Sequence, residues 1–443
     1  MKLWQKDKTA LKEVERFTVG NDRELDTCLA PFDVLGSLAH IQMLGSVGLL
    51  TPEERALLQA ALKDMYKQIT EGKFVLEEGV EDVHSQVELL LTRNLGDVGK
   101  KIHSARSRND QVLVDLKLYM RHEIGRTVDH VQELFNLLIE LSEKHKEDLL
   151  PGYTHLQLAM PSSFGLWFGA YAESLADDLV TLEAAYKLVN RNPLGSAAGY
   201  GSSFPINRQQ TTDLLGFEAM NRNVVYAQMG RGKTERIVAS ALANIGATLS
   251  KLSMDCCLYM NQNFAFISFP EELTTGSSIM PHKKNPDVFE LIRSHGNRLQ
   301  ALPNEIMLMT ANLPSGYHRD LQLIKEHIIP AFENLQDCLR MTTFMLRQVN
   351  VKKNILQDEQ YAALFSVEEV NKLVLQGMPF RDAYKKVGAE IASGNFKPGT
   401  VIHHTHEGSI GNPGNEAIRR YMEDIIQNFN FNAVKIALQQ LLS

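Results

Sequence analysis

Apolar residues recur along this chain at the three- and four-residue spacing of α-helices. Between Ile124 and Leu141 six apolar residues follow this spacing, which predicts a long helix that buries one face. Comparable stripes cover residues 164–189, 234–260, 289–310 and 321–349. Five long helices indicate an elongated central bundle, and the helix over 234–260 alone would run for roughly 40 Å.

Local signals mark the ends of shorter helices. Thr51 and Glu54 have the spacing of a capping box, and Ser366 and Glu369 predict a second one. Gly377 predicts a helix C-terminus. The alternation typical of strands is scarce, so we expect few strands.

Composition narrows the class of protein. The 443 residues are enough for about two to three domains, and 44% hydrophobic with 22% charged residues is typical of a soluble globular chain. The net charge of -7 argues against nucleic acid as the main partner. The N-terminal stretch has no apolar signal core, and no uninterrupted apolar run approaches the roughly 20 residues that span a bilayer. We expect a cytoplasmic protein without a membrane partner.

Four cysteines and one histidine-rich stretch are the candidates for a metal or redox site. The cysteines are not spaced as zinc or redox motifs are, and adjacent Cys256 and Cys257 are better explained as small core residues. The stretch HHTHEG, residues 403–408, could suggest a metal, but a polar turn is the better interpretation.

The stretch TTGSSIMPHKKNPD, residues 274–287, predicts a loop that carries polar chemistry. Gly276 and Pro281 prevent a regular element there. The Ser277 hydroxyl, the Lys283 ammonium and the Asn285 amide suit an anionic substrate and proton transfer. A solvated basic turn is the alternative interpretation.

A second string, HSARSRNDQV at residues 103–112, is a candidate anion site. Arginine presents a planar fork to a carboxylate, so Arg106 and Arg108 with Asn109 could grip a dicarboxylate. The start of a surface helix would explain these residues about as well.

Two further strings carry candidate polar groups. In GYTHLQ, residues 152–157, His155 follows the Thr154 hydroxyl, and a histidine that titrates near neutrality could transfer protons, although a lone histidine is more often structural. The string SGYHRDLQLIK, residues 315–325, offers Tyr317, Gln322 and Lys325, none of which is informative alone.

Together these strings resemble the argininosuccinate lyase family of the fumarase/aspartase superfamily, and the likeness extends over nearly the whole chain. The resemblance implies an all-α, three-domain lyase whose long central helices form a 20-helix core in a homotetramer, with active sites shared between subunits. It places the domains at residues 1–105, 106–355 and 356–443. It implies neither cofactor nor metal.

The reaction implied by the resemblance is the reversible β-elimination of argininosuccinate to L-arginine and fumarate, the last step of arginine biosynthesis. The resemblance implies that Ser277 is the general base, that Lys283 assists it, and that His155, oriented by Glu290, is the acid. It also implies a set of substrate-binding residues: Asp26, Arg106, Ser107, Arg108, Asn109, Thr154, Asn285, Tyr317, Gln322 and Lys325.

This chain departs from the family pattern at several positions. Asp22 stands where the family commonly has a substrate-binding serine, Ala105 where glycine is usual, and Leu323 with Ile324 where the family has an acidic pair. Two other functions are the alternatives: another fumarate-releasing lyase, acting on adenylosuccinate or aspartate, and a non-enzymatic crystallin-like protein. The strings RSRNDQ and GYHRDLQ disfavour the first, and the retained polar loop residues disfavour the second.

Overall fold

The computed structural model describes residues 12–443 as a mostly helical protein. Its helices are α1 (Lys12–Val19), α2 (Asp22–Thr27), α3 (Ala30–Ser46), α4 (Pro52–Thr70), α5 (Val83–Leu95), α6 (Asp97–Lys100), α7 (Arg108–Lys144), α8 (Phe164–Val189), α9 (Arg208–Leu214), α10 (Val224–Met229), α11 (Lys233–Met260), α12 (Asp287–Met309), α13 (Ile324–Leu346), α14 (Ser366–Leu375), α15 (Phe380–Ala392), α16 (Asn415–Asn428) and α17 (Phe431–Leu442).

Strands are few and short, as expected. Within the described part of the chain they form three two-stranded pairs. Their bounds are β1 (Leu149–Thr154), β2 (Gln157–Ser163), β3 (Arg191–Asn192), β4 (Ala219–Met220), β5 (Ile267–Ser268) and β6 (Asn350–Val351). The first and third pairs are antiparallel, and the second is parallel.

The five long helices predicted from the apolar stripes are confirmed as α7, α8, α11, α12 and α13. The bounds of α8 agree with the stripe over 164–189, whereas α13 begins three residues later than its stripe because residues 319–322 form a separate 3-10 turn. Helix α11 packs on α8, α12 and α13, while α7 packs on α8 and α13. Their buried side chains make up the largest hydrophobic core.

Helices α11 and α12 approach each other closely at two glycines. A Cβ atom on Gly296 of α12 would overlap the carbonyl oxygen of Gly246 on α11, so the two backbones touch there. Within the described residues α11 is also the one helix long and apolar enough to cross a membrane, but 61% of its apolar stretch is buried inside the protein. It is packed as a core helix.

Two of the three local signals are confirmed. The Thr51 side chain accepts a hydrogen bond from the Glu54 N–H, and the Glu54 side chain accepts one from the Thr51 N–H, which completes the capping box of α4. Gly377 follows α14 with a φ of +98°, and its N–H donates to Val374 as in a Schellman C-terminus.

The prediction of a second capping box, at Ser366 and Glu369, is wrong. Ser366 is already helical, because a 3-10 helix over Glu359–Phe365 runs directly into α14. The chain therefore has no free helix N-terminus at Ser366 for its hydroxyl to cap, and the serine makes no capping hydrogen bond.

Two smaller cores flank the bundle. One joins α3, α4 and α5 with the first turns of α7, and it also takes in side chains as distant as Phe217 and Leu441. The other is a small cluster around Val370, Ala383 and Val387 in α14 and α15. The domain boundaries at residues 105 and 355 stay a prediction.

All four cysteines lie among the described residues and are free. Cys256 is buried in α11 and Cys257 is half-buried, in keeping with their interpretation as packing residues. In the HHTHEG stretch, both ring nitrogens of His404 have protein partners, the Ser409 hydroxyl at 2.7 Å and the Glu368 carboxylate at 3.3 Å.

Candidate active site

A charged cavity of about 210 Å³ lies where several helices begin. Residues at the N-terminal ends of α5, α7, α11 and α13 line it. A helix N-terminus carries a partial positive charge and unpaired N–H groups, so a cavity at several of them suits an anionic ligand.

Six of the residues proposed from the sequence come together in this cavity. They are Asp26, Arg108, Asn109, Tyr317, Gln322 and Lys325. Asp22, at the position of the family's substrate-binding serine, lines it as well. Five further lining residues were not predicted from the sequence: Glu81, Asp82, Val112, Arg231 and Arg319. The strings RSRNDQ and GYHRDLQ, which are more than 200 residues apart in the chain, thus meet at one site.

The cavity's cations are held by carboxylates. Arg108 pairs with Asp82 and lies 3.3 Å from the Glu81 carboxylate, which also faces Arg319 at 3.5 Å. Asp82 is fixed in turn because it caps α5, accepting a hydrogen bond from the Ser85 N–H at 2.8 Å. The Arg108 guanidinium is therefore preoriented before any ligand binds.

Arg106 and Ser107 lie beside this cavity without lining it. Arg106 is buried and donates to the Ser37 hydroxyl at 3.0 Å. Ser107 caps α7, and its backbone N–H donates to Asp110. These contacts orient the start of α7; contact with substrate stays a prediction for both residues.

The backbone conformation at Ala105 explains why glycine is usual at this position in the family. Its φ of +61° lies in the left-handed region that favours glycine, and the side chain is buried. An alanine there costs about 1 kcal/mol of backbone strain. The turn nevertheless keeps the geometry that leads into the Arg108 helix.

A buried ionic cluster lies next to the cavity, two residues beyond Asp82. His84 Nδ1 is 2.7 Å from Asp33 Oδ1 and 3.6 Å from Asp115 Oδ2, and all three side chains are buried. Burial alone would lower the pKa of His84, but the carboxylates of Asp33 and Asp115 outweigh it and raise the pKa to about 10. Arg106 adds a second cation close to both carboxylates.

Replacing His84 with asparagine should lower the free energy of unfolding by about 3 kcal/mol near neutral pH, because buried carboxylates lose their charged partner. The folded-state pKa of about 10 exceeds the ordinary value of 6.5. The histidine's contribution is therefore complete below pH 6.5 and is lost as the pH rises through about 10.

Urea unfolding of both proteins at pH 6.5 and at pH 10 measures this effect, and the difference between them should shrink at the higher pH. The control is His103→Asn, which removes a histidine whose side chain is 42% exposed. A His84→Asn protein as stable as the wild type at pH 6.5 would contradict the prediction.

The predicted loop is present between the 3-10 turn at Glu271–Leu273 and α12. It is tied at its base, where the Asn285 N–H donates to the Thr275 carbonyl at 2.8 Å. Ser277 Oγ accepts hydrogen bonds from the N–H groups of Ile279 at 3.3 Å and Met280 at 3.2 Å. Two donors on one hydroxyl oxygen favour its deprotonated form.

The tip of this loop is open. Lys283 is exposed and Ser277 is half-buried, while Ile279 is 82% exposed although it is apolar. The tip of the loop therefore presents polar groups and one apolar side chain to solvent.

The GYTHLQ string forms the turn of a hairpin. Thr154 pairs with Gln157 across β1 and β2, which leaves His155 and Leu156 as a two-residue turn. Both have positive φ, +53° and +58°, a strained conformation for residues other than glycine. Strain of this kind persists mainly at functional sites, which favours a role for exposed His155.

Within one chain, the Arg108 cavity, the Ser277 loop and the His155 hairpin lie in different places. Helix α7, with 37 residues, puts about 55 Å between Arg108 and the segment leading to His155. Helix α12, with 23 residues, puts about 35 Å between the Ser277 loop and the segment of Tyr317. Within the described residues no ion pair joins Glu290 to His155, so that pairing stays a prediction.

The missed residues had only weak sequence signals. Asp82 begins a helix, and an Asp three residues before Ser85 is a recognisable N-cap, but nothing in the string shows that it faces a cavity. Arg231 precedes α11 and is held against the Tyr317 ring and the Leu321 carbonyl. Its neighbours lie some 90 positions away, so only the fold reveals them.

Comparisons with known proteins agree with the architecture. A family model described as "Lyase" matches residues 7–300. The chain is 62% identical to an argininosuccinate lyase of Bacteroides fragilis over 441 residues, covering 100% of this chain and 99% of that protein.

Solved structures give the same fold at lower identity. An EDDS lyase in complex with formate superposes with a TM-score of 0.75 at 23% identity, over 94% of this chain and 91% of that one. A class II fumarase from Schistosoma mansoni gives a TM-score of 0.68 at 16% identity, over 84% and 90%. The full-length sequence match and this shared fold lead to one conclusion: the chain belongs to the argininosuccinate lyase family, within the fumarase/aspartase superfamily.

Proposed function

We propose that the protein cleaves argininosuccinate into L-arginine and fumarate at a site that several subunits of a homotetramer build together. The observation that carries the proposal is the cavity at the helix N-termini, where the strings RSRNDQ and GYHRDLQ meet with Arg108, Asn109, Tyr317, Gln322 and Lys325. We further propose that it works in the cytoplasm, in keeping with its free cysteines.

The reaction removes a proton and a guanidino group from neighbouring carbons of the succinyl skeleton. The C–H bond next to one carboxylate breaks first, and its electron pair moves onto that carboxylate as an aci-carboxylate. These electrons then form the carbon–carbon double bond of fumarate while the C–N bond breaks. The nitrogen keeps the electron pair of that bond and leaves as the guanidino nitrogen of arginine.

Ser277 is the proposed base. The two backbone N–H groups on its Oγ would stabilise the alkoxide that accepts the proton. Lys283 and Asn285, on the same loop, would donate to the aci-carboxylate, whose extra negative charge is the main barrier to this reaction. Arg108 and Asn109 would hold the second carboxylate.

His155, oriented by Glu290, is the proposed acid for the leaving nitrogen. It lies on an exposed hairpin turn from which it could enter a neighbouring chain's site. The lengths of α7 and α12 support this arrangement, because they separate His155 and Ser277 from the cavity of their own chain. Assembly into a tetramer would let one subunit's cavity meet another's loop and hairpin.

Fumarate formation tests the proposed function. The purified protein should release fumarate from argininosuccinate, followed by ultraviolet absorbance, and should not do so from adenylosuccinate or aspartate. If adenylosuccinate or aspartate released fumarate at a comparable rate, the proposed specificity for argininosuccinate would be wrong. The absence of fumarate from all three would exclude a lyase of this kind.

A further inference from the structure

Asp110 lies two residues after Arg108, outside the cavity that Arg108 lines, and its side chain is fully buried. One carboxylate oxygen, Oδ1, accepts a hydrogen bond from the Ser107 N–H at 2.9 Å, at the start of α7. The other, Oδ2, accepts from the N–H groups of Gly195 at 3.0 Å and Ala197 at 2.9 Å. This carboxylate therefore joins the first turn of α7 to a turn that lies 85 residues further along the chain.

The turn over residues 195–201 has a backbone that needs such an anchor. Residues of positive φ alternate in it with ordinary ones, at Gly195, Ala197, Gly199 and Gly201. An alternating backbone of this kind turns neighbouring N–H groups to one side and makes a concave anion site, which here holds the Asp110 carboxylate. Without that carboxylate the two N–H groups would lose their acceptor, and the strained φ of Ala197 would lose the contact that offsets it.

The same turn reaches the opposite side of the cavity. Tyr200 extends from it until its hydroxyl lies beside Gly316, where an added Cβ atom would be only 3.2 Å from the hydroxyl oxygen. Gly316 directly precedes Tyr317, which lines the cavity. Asp110 thus connects the Arg108 side of the cavity with the Tyr317 side through the turn over residues 195–201.

We propose that Asp110 is a positioning residue that fixes Arg108 and Asn109 relative to the Tyr317 side of the cavity and so sets how tightly the site binds its dicarboxylate. The Ser107 backbone that Asp110 anchors also orients Asn109, because the Ser107 hydroxyl accepts from the Asn109 N–H at 3.3 Å. The inference rests on the proposed function and adds to it a residue that touches no reacting atom. The proposed base lies on a different loop, so Asp110 should govern substrate capture rather than proton removal.

Asp110→Asn tests the role with almost no change in side-chain size. The amide replaces one acceptor oxygen with an NH2 group, so at least one of the three backbone N–H groups then faces a donor. The fumarate inhibition constant and the KM for argininosuccinate should each rise about 10-fold or more, while kcat stays within about threefold of the wild type. A residue that served stability alone would lower the melting temperature without raising the fumarate inhibition constant.

Glu123→Gln is the matched control. Glu123 is a second buried carboxylate of α7, about 20 Å further along the helix, and it accepts a hydrogen bond from the Gln336 amide at 2.9 Å. The same exchange of carboxylate for amide should lower the melting temperature but leave the fumarate inhibition constant within about threefold. An equal rise of that constant in both variants would mean that Asp110 acts only through the stability of α7, and the inference would be overturned.

The wild type tests the same link without a substitution, which keeps the inference testable even if Asp110→Asn does not fold. The amides of Gly195 and Ala197 already donate to Asp110, so bound fumarate can reach them only through the backbone of α7. Hydrogen exchange of the peptide over residues 193–201, followed by mass spectrometry, should slow about threefold or more when fumarate is saturating.

Two results would overturn the inference: exchange of this peptide that fumarate leaves unchanged, or a folded Asp110→Asn protein whose fumarate inhibition constant stays within about threefold of the wild type. If the wild type still cleaves argininosuccinate, either result leaves the proposed function intact. If the wild type releases no fumarate from argininosuccinate, the proposed function itself is wrong, and the exchange measurement with fumarate still decides whether Asp110 links the turn to the cavity.

Discussion

Ser277→Ala should lower kcat for argininosuccinate cleavage by about 100-fold or more while leaving fumarate binding and assembly unchanged. The substitution removes the oxygen that would accept the proton, and a loss of this size corresponds to about 2.7 kcal/mol of the activation barrier. The backbone around it should persist, because the loop is tied at its base by Asn285 and Thr275 rather than by the serine side chain.

The neighbouring hydroxyl provides a matched control. Ser278 lies on the same loop and is exposed, and its side chain makes no hydrogen bond within the described residues. Ser278→Ala should keep kcat within about threefold of the wild type. A Ser277→Ala protein that retained more than about a tenth of the wild-type kcat would show that another group takes the proton.

Two inactive chains should restore activity when they are mixed. We expect Ser277→Ala and Asn109→Ala proteins, each with little activity, to recover about a quarter of the wild-type rate after subunit exchange in equal amounts. The proposed site takes Ser277 from one subunit and Asn109 from another. In a random equal mixture each is intact in half of the sites, so both are intact in about a quarter of them. Mass spectrometry establishes the exchange, and fumarate release measures the recovery.

A second mixture tells shared sites from other causes of recovery. Ser277 and Lys283 lie on one loop, so no site in a mixture of Ser277→Ala and Lys283→Ala chains has both residues intact. That mixture should stay inactive. Verified exchange between Ser277→Ala and Asn109→Ala chains without recovered fumarate release would mean that each site belongs to one subunit.

The long helices could be predicted from the sequence because their cause is local. In every turn of α7 and α8 one face packs in the bundle, so apolar residues recur at helical spacing along the whole helix. This long periodic pattern can be recognised in the sequence. The capping box of α4 is local as well, since Thr51 and Glu54 bond to each other. Ser366 shows the limit, because the same spacing fails where a preceding 3-10 helix has already set the backbone.

The cavity could be predicted only in part because it is made by distant contacts. Arg108 and Lys325 belong to recognisable strings, but their carboxylate partners, Asp82 and Asp22, are fixed by how separate helices meet. The left-handed turn at His155 was likewise invisible, since its strain depends on the register of β1 and β2. Resemblance supplied the roles of these residues, and the fold supplied their surroundings.

The length of α7 limits the insertions and deletions that the protein can tolerate. The helix separates the Arg108 cavity from the His155 hairpin, and its middle carries no proposed chemistry. Yet inserting one residue there would turn everything beyond it by about 100° and move it by about 1.5 Å. Even seven added residues, which nearly restore the rotation, would displace the hairpin by about 10 Å. Substitutions on the exposed positions of α7 should therefore be common among functional homologues, whereas insertions and deletions within it should be absent.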